Sequence, residues 1–224
     1  MPPPGADESA LPGPGLGGPC RYPLLVVISG PSGVGKDALL GRLKARGSHY
    51  HVAVTATTRP RRPHEVDGRH QHFLTPQRFE AMLAAGELLE NALVYGHRYG
   101  VPRSEVRDAL ARGQDVLVRT DVQGAATIKG AVLQAVTIFL APSSPSAGSG
   151  QALAELEERL RRRGLDSEEQ LRLRLAKARL EMDAAGHFDH VVVNADGKLD
   201  EAVAQVERII AAERARLERE PVVV

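Results

Sequence analysis

The chain predicts a doubly wound α/β fold built on a parallel sheet, and three observations carry that expectation. Five apolar runs, Leu24–Ser29, His51–Thr55, Val116–Thr120, Val136–Leu140 and His190–Val193, lack the polar alternation of a half-exposed strand. Such runs suit parallel strands covered on both faces. Helical patterns separate and follow them, at Asp37–Arg46, Pro76–Ala85, Ser104–Arg112, Val122–Gly130, Ala152–Arg163, Ser167–Ala185 and Leu199–Arg219. Strand alternating with helix implies crossovers, and ligands at the carboxyl ends of the strands. The third observation is the string GPSGVGK, Gly30 to Lys36, which follows the first run at once and matches G-x-x-x-x-G-K.

That loop is the most informative segment. Gly30, Gly33 and Gly35 let the backbone curl until successive N–H groups, those of Ser32 and Val34 among them, point at one anion. Lys36 adds a compact positive charge. The helix after it, with Ala38, Leu39, Leu40 and Leu43 on its apolar side, directs its positive dipole end at the same point. Strand, loop and amphipathic helix in this order read as a nucleotide phosphate site. The position after the lysine, normally a Ser or Thr whose hydroxyl reaches Mg²⁺, is Asp37. A carboxylate beside phosphate oxygens is repulsive unless a cation lies between them. Asp37 therefore either binds Mg²⁺, directly or through water, or only caps its own helix.

Two segments interrupt the alternation. Thr57 to Gly100, dense in Arg, Pro, His and Gly, reads as an inserted lobe. It opens with Arg59, Arg61 and Arg62 in a loop stiffened by Pro60 and Pro63, and guanidinium groups grip phosphate bidentately. Two phosphate-gripping elements in one chain suggest two phosphorylated substrates. The lobe's histidines (His64, His70, His72, His97) are spaced for no usual metal site and read as surface residues. After the Val116–Thr120 run, Asp121 stands at a strand's carboxyl end, placed to coordinate Mg²⁺ or to accept hydrogen bonds from a base. Ser143 to Gly150 reads as a flexible loop leading into Arg159, Arg161, Arg162, Arg163, Arg172 and Arg174. Arginines on a movable segment can neutralise phosphoryl charge as a site closes. The mixed Glu and Arg of the last helix read as a solvated face.

Composition excludes several classes. The 224 residues carry 29 basic and 28 acidic side chains, a net charge of +1, which gives no support to a nucleic-acid surface. Aromatic residues are 4% with no Trp, too few for base-stacking platforms. The single Cys20 excludes an internal disulfide and fits a reducing compartment. No apolar run approaches the ~20 residues that span a bilayer. Met1 to Gly18, rich in Pro and Gly, reads as a disordered tail or the remnant of a processed leader.

With these pieces in order, the chain resembles a guanylate kinase from about Leu24 to Ala212. The strings that carry the likeness are SGPSGVGK, TATTRPRRPHEVDG, GELLENALVYG, YGVPRSEV, DVQGA, RLRRRGLDSEE and FDHVVVN. Lys36-Asp37, with Arg119 to Gly124, is similar to a subgroup found in plastids and some bacteria. The resemblance implies a P-loop kinase fold with an NMP-binding lobe (about 57–100) and an Arg-rich lid (about 143–174), inside a domain of residues 22–219 flanked by tails at 1–21 and 220–224. It implies transfer of the ATP γ-phosphoryl group to GMP, with Mg²⁺. Lys36, Arg161 and Arg174 would neutralise the transferring group, and Asn194 would lie near the adenine of ATP. Thr55, Arg59, Arg62, Gln71, Glu90, Val101 and Asp121 would form the GMP site, with Arg59 and Arg62 on the phosphate and Glu90 and Asp121 on guanine.

Two positions depart from the family's pattern. Gln71 stands where a Tyr usually reaches the GMP phosphate, with His70 in place of the neighbouring Asp. Val101 stands where many members place a Ser or Thr against the guanine carbonyl. The competing readings are a phosphosugar (ribose bisphosphate) kinase of the same fold and a non-catalytic guanylate-kinase-like interaction domain. The expected partners are ATP and GMP, with neither nucleic acid nor membrane, in a monomer or homodimer. The expected compartment is the cytoplasm, or alternatively a plastid or mitochondrion.

Overall fold

In chain order the first half contains β1 (Leu25–Ser29), α1 (Lys36–Arg46), β2 (Tyr50–Val52), β3 (Ala56–Thr57), β4 (His72–Phe73), α2 (Pro76–Ala84), β5 (Leu88–Val94) and β6 (His97–Pro102). There follow α3 (Arg103–Ala111), β7 (Asp115–Arg119), α4 (Val122–Ala131), β8 (Val136–Ala141), α5 (Ser149–Arg163), α6 (Glu168–Asp183), β9 (His190–Val193) and α7 (Leu199–Arg214). This computed structural model describes residues 22–47, 50–94, 96–142, 149–164, 167–216 and 218–224. The expected N-terminal tail with Cys20, and most of the loop expected over 143–150, lie outside the described residues. No helix among the described residues is long and apolar enough to cross a membrane.

The main sheet runs β2-β7-β1-β8-β9, and every pairing in it is parallel. Around β1, Leu24, Val26 and Ile28 turn to one face and pack with Leu39 and Leu43 of α1 and Val203, Val206 and Ile210 of α7. Leu25 and Val27 turn to the other face, against Val106 and Ala109 of α3 and Ala125 and Ile128 of α4. Both faces are covered, which is why the run is apolar without alternation. β1 and β7 are neighbours, yet the helices that follow them, α1 and α4, leave to opposite faces. That reversal opens a crevice at the carboxyl ends of the two strands.

A second sheet, β4-β3-β6-β5, forms the inserted lobe with α2. Its small core is Ala56, Phe79, Met82 and Leu88. Thr75 caps α2 by accepting a hydrogen bond from Arg78 N, and Pro76 opens the helix. None of the four lobe strands is expected from the sequence, since β3 and β4 are two-residue pairings within Arg-, His- and Pro-rich sequence. The last helix ends at Arg214 rather than Arg219. Beyond it Arg216 and Arg219 fold back on buried Glu213, and Val222 and Val224 pack against the second core cluster. The solvated face expected there is thus partly an internal ion-pair cluster.

Of the lobe histidines expected at the surface, His64 and His70 are exposed, but His72 needs correction. His51 of β2 and His72 of β4 both donate from Nε2 to Glu105 of α3, at 2.9 and 2.8 Å. Val54 N donates to the same carboxylate at 3.2 Å. Glu105 therefore joins the main sheet to the lobe at the chain's entry into it and exit from it. Burial raises its pKa, but the hydrogen bonds from His51, His72 and Val54 outweigh burial and take it from 4.5 to about 2. A carboxyl group depressed on folding stabilises above its unfolded pKa and loses that contribution as pH falls from about 4.5 to 2. The difference corresponds to at most about 3 kcal/mol. Glu105→Gln should cost about 2 kcal/mol at pH 7 and less than half of that at pH 3, read by chemical denaturation. Equal losses at both pH values would contradict this account.

Candidate active site

The phosphate loop is built by close approach. At Gly30 (φ 137) a Cβ would come within 2.2 Å of the Leu140 carbonyl oxygen of β8, so only glycine lets β1 leave the sheet here. Buried Asn194, at the end of β9, donates from Nδ2 to Val34 O at 2.7 Å and pins the loop from the other side. Arg159 of α5 braces the same corner through Asn194 O at 2.6 Å. The Lys36 ammonium curls back to donate to Gly30 O, and to Pro31 O at 3.2 Å. Burial lowers its pKa from 10.5 to about 8, against the opposing charge of Glu181.

A cleft of about 570 Å³ opens over this loop at the carboxyl ends of β1 and β7. Gly33, Gly35 and Lys36 form its floor, while Thr55, Glu90 and Tyr99 line it from the lobe side. Arg119, Thr120 and Asp121 come from the end of β7, and Arg174, Lys177 and Glu181 from α6. A second cleft of about 340 Å³ lies on the far side of Gly33 and Ala38, lined by Arg159, Arg163 and Asn194 to Gly197. Two cavities thus meet at one phosphate loop.

Glu90 is 5% exposed, and its Oε2 has no hydrogen-bond partner among the described residues. Burial first, then Asp121, raise its pKa from 4.5 to about 7. Gly124 explains how it fits: a Cβ there would lie 2.8 Å from Glu90 Oε2 and 2.0 Å from Thr120 Oγ1. The glycine of DVQGA is what admits the carboxylate against the first turn of α4. Asp121 caps that helix, its Oδ1 accepting from Gly124 N at 3.0 Å.

Asp37 does not cap α1. The N-cap is Gly35, with no side-chain cap hydrogen bond. Its carboxylate instead pairs with Arg119, a partner the sequence reading did not foresee. A protein cation therefore stands beside the carboxylate that would otherwise repel phosphate.

Of the other expected residues, Arg174 reaches the loop, donating to Ser32 Oγ at 2.8 Å. Arg161 does not face the cleft; it is exposed and paired with Glu157 and Glu168, while Arg163 of the same cluster lines both cavities. Arg59 is held by Glu65 at 2.7 Å and lies over the Phe73 ring, outside the cleft lining, as is Arg62. Gln71 is buried, with Oε1 unpartnered among the described residues. Val101, the cross-strand partner of Glu90, is fully buried in the second core cluster and presents no polar atom. Sequence reasoning missed Tyr99, Arg119, Lys177 and Glu181. Tyr99 had a signal, since it opens the string YGVP, and so had Arg119, which opens the Arg119 to Gly124 string set beside Lys36-Asp37; Lys177 and Glu181 had none without the fold.

The family profile described as guanylate kinase matches residues 22–213, nearly the whole described chain. The chain belongs to the guanylate kinase family. A guanylate kinase 2, chloroplastic/mitochondrial, of Oryza sativa subsp. japonica is 44% identical over 205 residues, covering 91% of this chain and 69% of the relative. The guanylate kinase of Gloeobacter violaceus is 45% identical over 199 residues, covering 88% and 92%. Among solved structures, the guanylate kinase of Anaplasma phagocytophilum superposes with a TM-score of 0.70 at 27% identity, covering 89% of this chain and 90% of that one. The protein is thus an ATP-dependent kinase that phosphorylates GMP to GDP. The family's nucleotide chemistry generally employs Mg²⁺ with ATP.

Proposed function

We propose that the two cavities divide the substrates, ATP on the side of Asn194 and GMP on the side of Glu90, with the phosphoryl group crossing over Lys36. The observation that carries this reading is the shared cleft, lined both by the phosphate loop and by buried Glu90, whose Oε2 has no hydrogen-bond partner among the described residues. Ser32 to Gly35 present backbone N–H groups to the ATP phosphates, and Lys36 and Arg174 neutralise charge as it spreads over the transferred group. Glu90 and Asp121 accept from guanine. Thr55 and Gln71 offer further polar contacts to GMP, and Val101 only packs beneath Glu90. Arg59 and Arg62 hold the GMP phosphate, and Arg161 joins the site when the lobe and the α5–α6 segment close on both substrates. Closure keeps water from the γ-phosphoryl group.

Mg²⁺ fits the donor set here. It favours oxygen ligands and is commonly held by one or two carboxylates together with substrate phosphates. Asp37, exposed at the loop and already balanced by Arg119, offers one such carboxylate, directly or through water. The ion would screen the phosphate oxygens; the protein's part is to hold the carboxylate without repelling ATP. Asp37→Ala should raise the Mg²⁺ needed for half-maximal rate about tenfold while leaving metal-free ATP affinity within about twofold. Arg119→Ala should weaken metal-free ATP binding instead, because it exposes the Asp37 charge to the phosphates. A Mg²⁺ titration of rate, with metal-free ATP binding measured beside it, checks both. Identical losses with and without Mg²⁺ in Asp37→Ala would remove Asp37 from the metal site.

A further inference from the structure

Helix α6 turns Arg174, Lys177 and Glu181 into the cleft from one face. Lys177 has no role in the division of labour above, yet it sits at its centre. Its Nζ donates to Asp121 Oδ2 at 3.1 Å and lies 3.5 Å from Glu181 Oε1. The other oxygen of Asp121 is committed to Gly124 N. Both oxygens of Asp121 are therefore engaged, and a base that reaches for Oδ2 must displace the ammonium. The displacement is cheap, because Lys177 is nearly half exposed and such ion pairs are weak. Once displaced, the ammonium keeps Glu181 as a neighbour and shares the cleft with Lys36 and Arg174, where the phosphoryl group must cross.

We propose that Lys177 is a further catalytic residue, a cation that Asp121 holds in reserve and that the base of GMP releases toward the transferring phosphoryl group. This rests on the reading of Asp121 as a guanine contact. Without GMP, Asp121 neutralises the lysine, so the full positive charge assembles only when both substrates are present. Acceptor binding and charge delivery become one event, for which Lys177 needs only a side-chain swing from Asp121. Asp121→Asn should accordingly leave the ammonium unheld and raise acceptor-free ATP hydrolysis.

Steady-state kinetics on the full chain test this. Lys177→Met should lower kcat about tenfold while the KM for GMP stays level or falls, since guanine no longer competes with a lysine for Asp121. Lys177→Arg, which keeps the charge, should recover most of the lost kcat. A kcat within about twofold of wild type in Lys177→Met overturns the proposal, as does a raised KM for GMP with kcat intact, which describes a lysine that only props Asp121. Asp121→Asn separates the two layers of the argument. An unchanged KM for GMP in that variant overturns the reading of Asp121 itself, whereas an unchanged kcat in Lys177→Met overturns only the role of Lys177.

Discussion

Lys36→Ala lowers kcat by at least about a thousandfold and leaves the chain folded, an effect at the upper end of those seen when one charge-stabilising donor is removed. The ammonium already occupies the bottom of the cleft, turned onto the loop's own carbonyls at Gly30 and Pro31. It is also held where a charge is unwelcome, as its pKa of about 8 records. An amine whose pKa falls on folding destabilises the folded state wherever it is charged. The penalty is complete below about pH 8 and fades between pH 8 and 10.5. Its upper bound is about 3 kcal/mol, partly offset by the two carbonyl contacts. Lys36→Met should therefore unfold no more easily than wild type at pH 7, and up to about 2 kcal/mol less easily. A variant that loses turnover while gaining stability marks a residue kept for chemistry. Ordinary turnover at saturating ATP would end the phosphate-loop assignment.

The second large effect falls on Glu90. Guanine presents two adjacent donors, a ring N–H and an exocyclic amine, where adenine presents a bare ring nitrogen. The Glu90 side chain is buried beside the cleft, and its Oε2 has no partner among the described residues. The amide of Glu90→Gln sets a donor against one of guanine's donors and removes a charge-assisted hydrogen bond worth about 1.5–3 kcal/mol, so kcat/KM for GMP should fall about tenfold to a hundredfold. The pKa of about 7 gives this a pH signature. Burial, then Asp121, favour the protonated acid, whereas guanine's donors need the carboxylate. In wild type kcat/KM for GMP should rise as pH climbs through 7 and level off above it. The rise should vanish in Glu90→Gln. A flat wild-type profile between pH 6 and 8 would contradict ionisation of Glu90 on binding.

The parts of this site legible in the sequence are those whose cause is local. GPSGVGK announces a loop because its glycines and lysine fall within seven residues, and β1, β7 and β8 announce themselves because double burial makes each run apolar, whereas the edge strands β2 and β9 are only partly buried. DVQGA is legible as an acid at a strand end, but the reason for its glycine, room for Glu90, appears only when β5 is laid against α4. The lobe strands are hidden because β3 and β4 are held by pairings to distant segments, not by their own composition. The partners of Asp37 and Asp121 are hidden for the same reason: Arg119 lies 82 residues from the first and Lys177 lies 56 from the second. His51, His72 and Glu105 look unrelated, in a strand run, a lobe loop and a helix, until the fold brings them together. Pairings of this kind depend on which helix leaves which face of the sheet, and no window of sequence contains that information.

If one cleft joins the phosphate loop to a guanine-reading carboxylate, the ratio of kcat/KM for GMP over AMP must show it. ADP release should be measured with each acceptor at saturating ATP and Mg²⁺, in wild type and in Glu90→Gln. Wild type should prefer GMP by at least about a hundredfold, about 2.7 kcal/mol. The gap should narrow in Glu90→Gln, whose amide can donate to the adenine ring nitrogen. A wild-type protein that phosphorylates AMP as well as GMP would contradict that reading of Glu90.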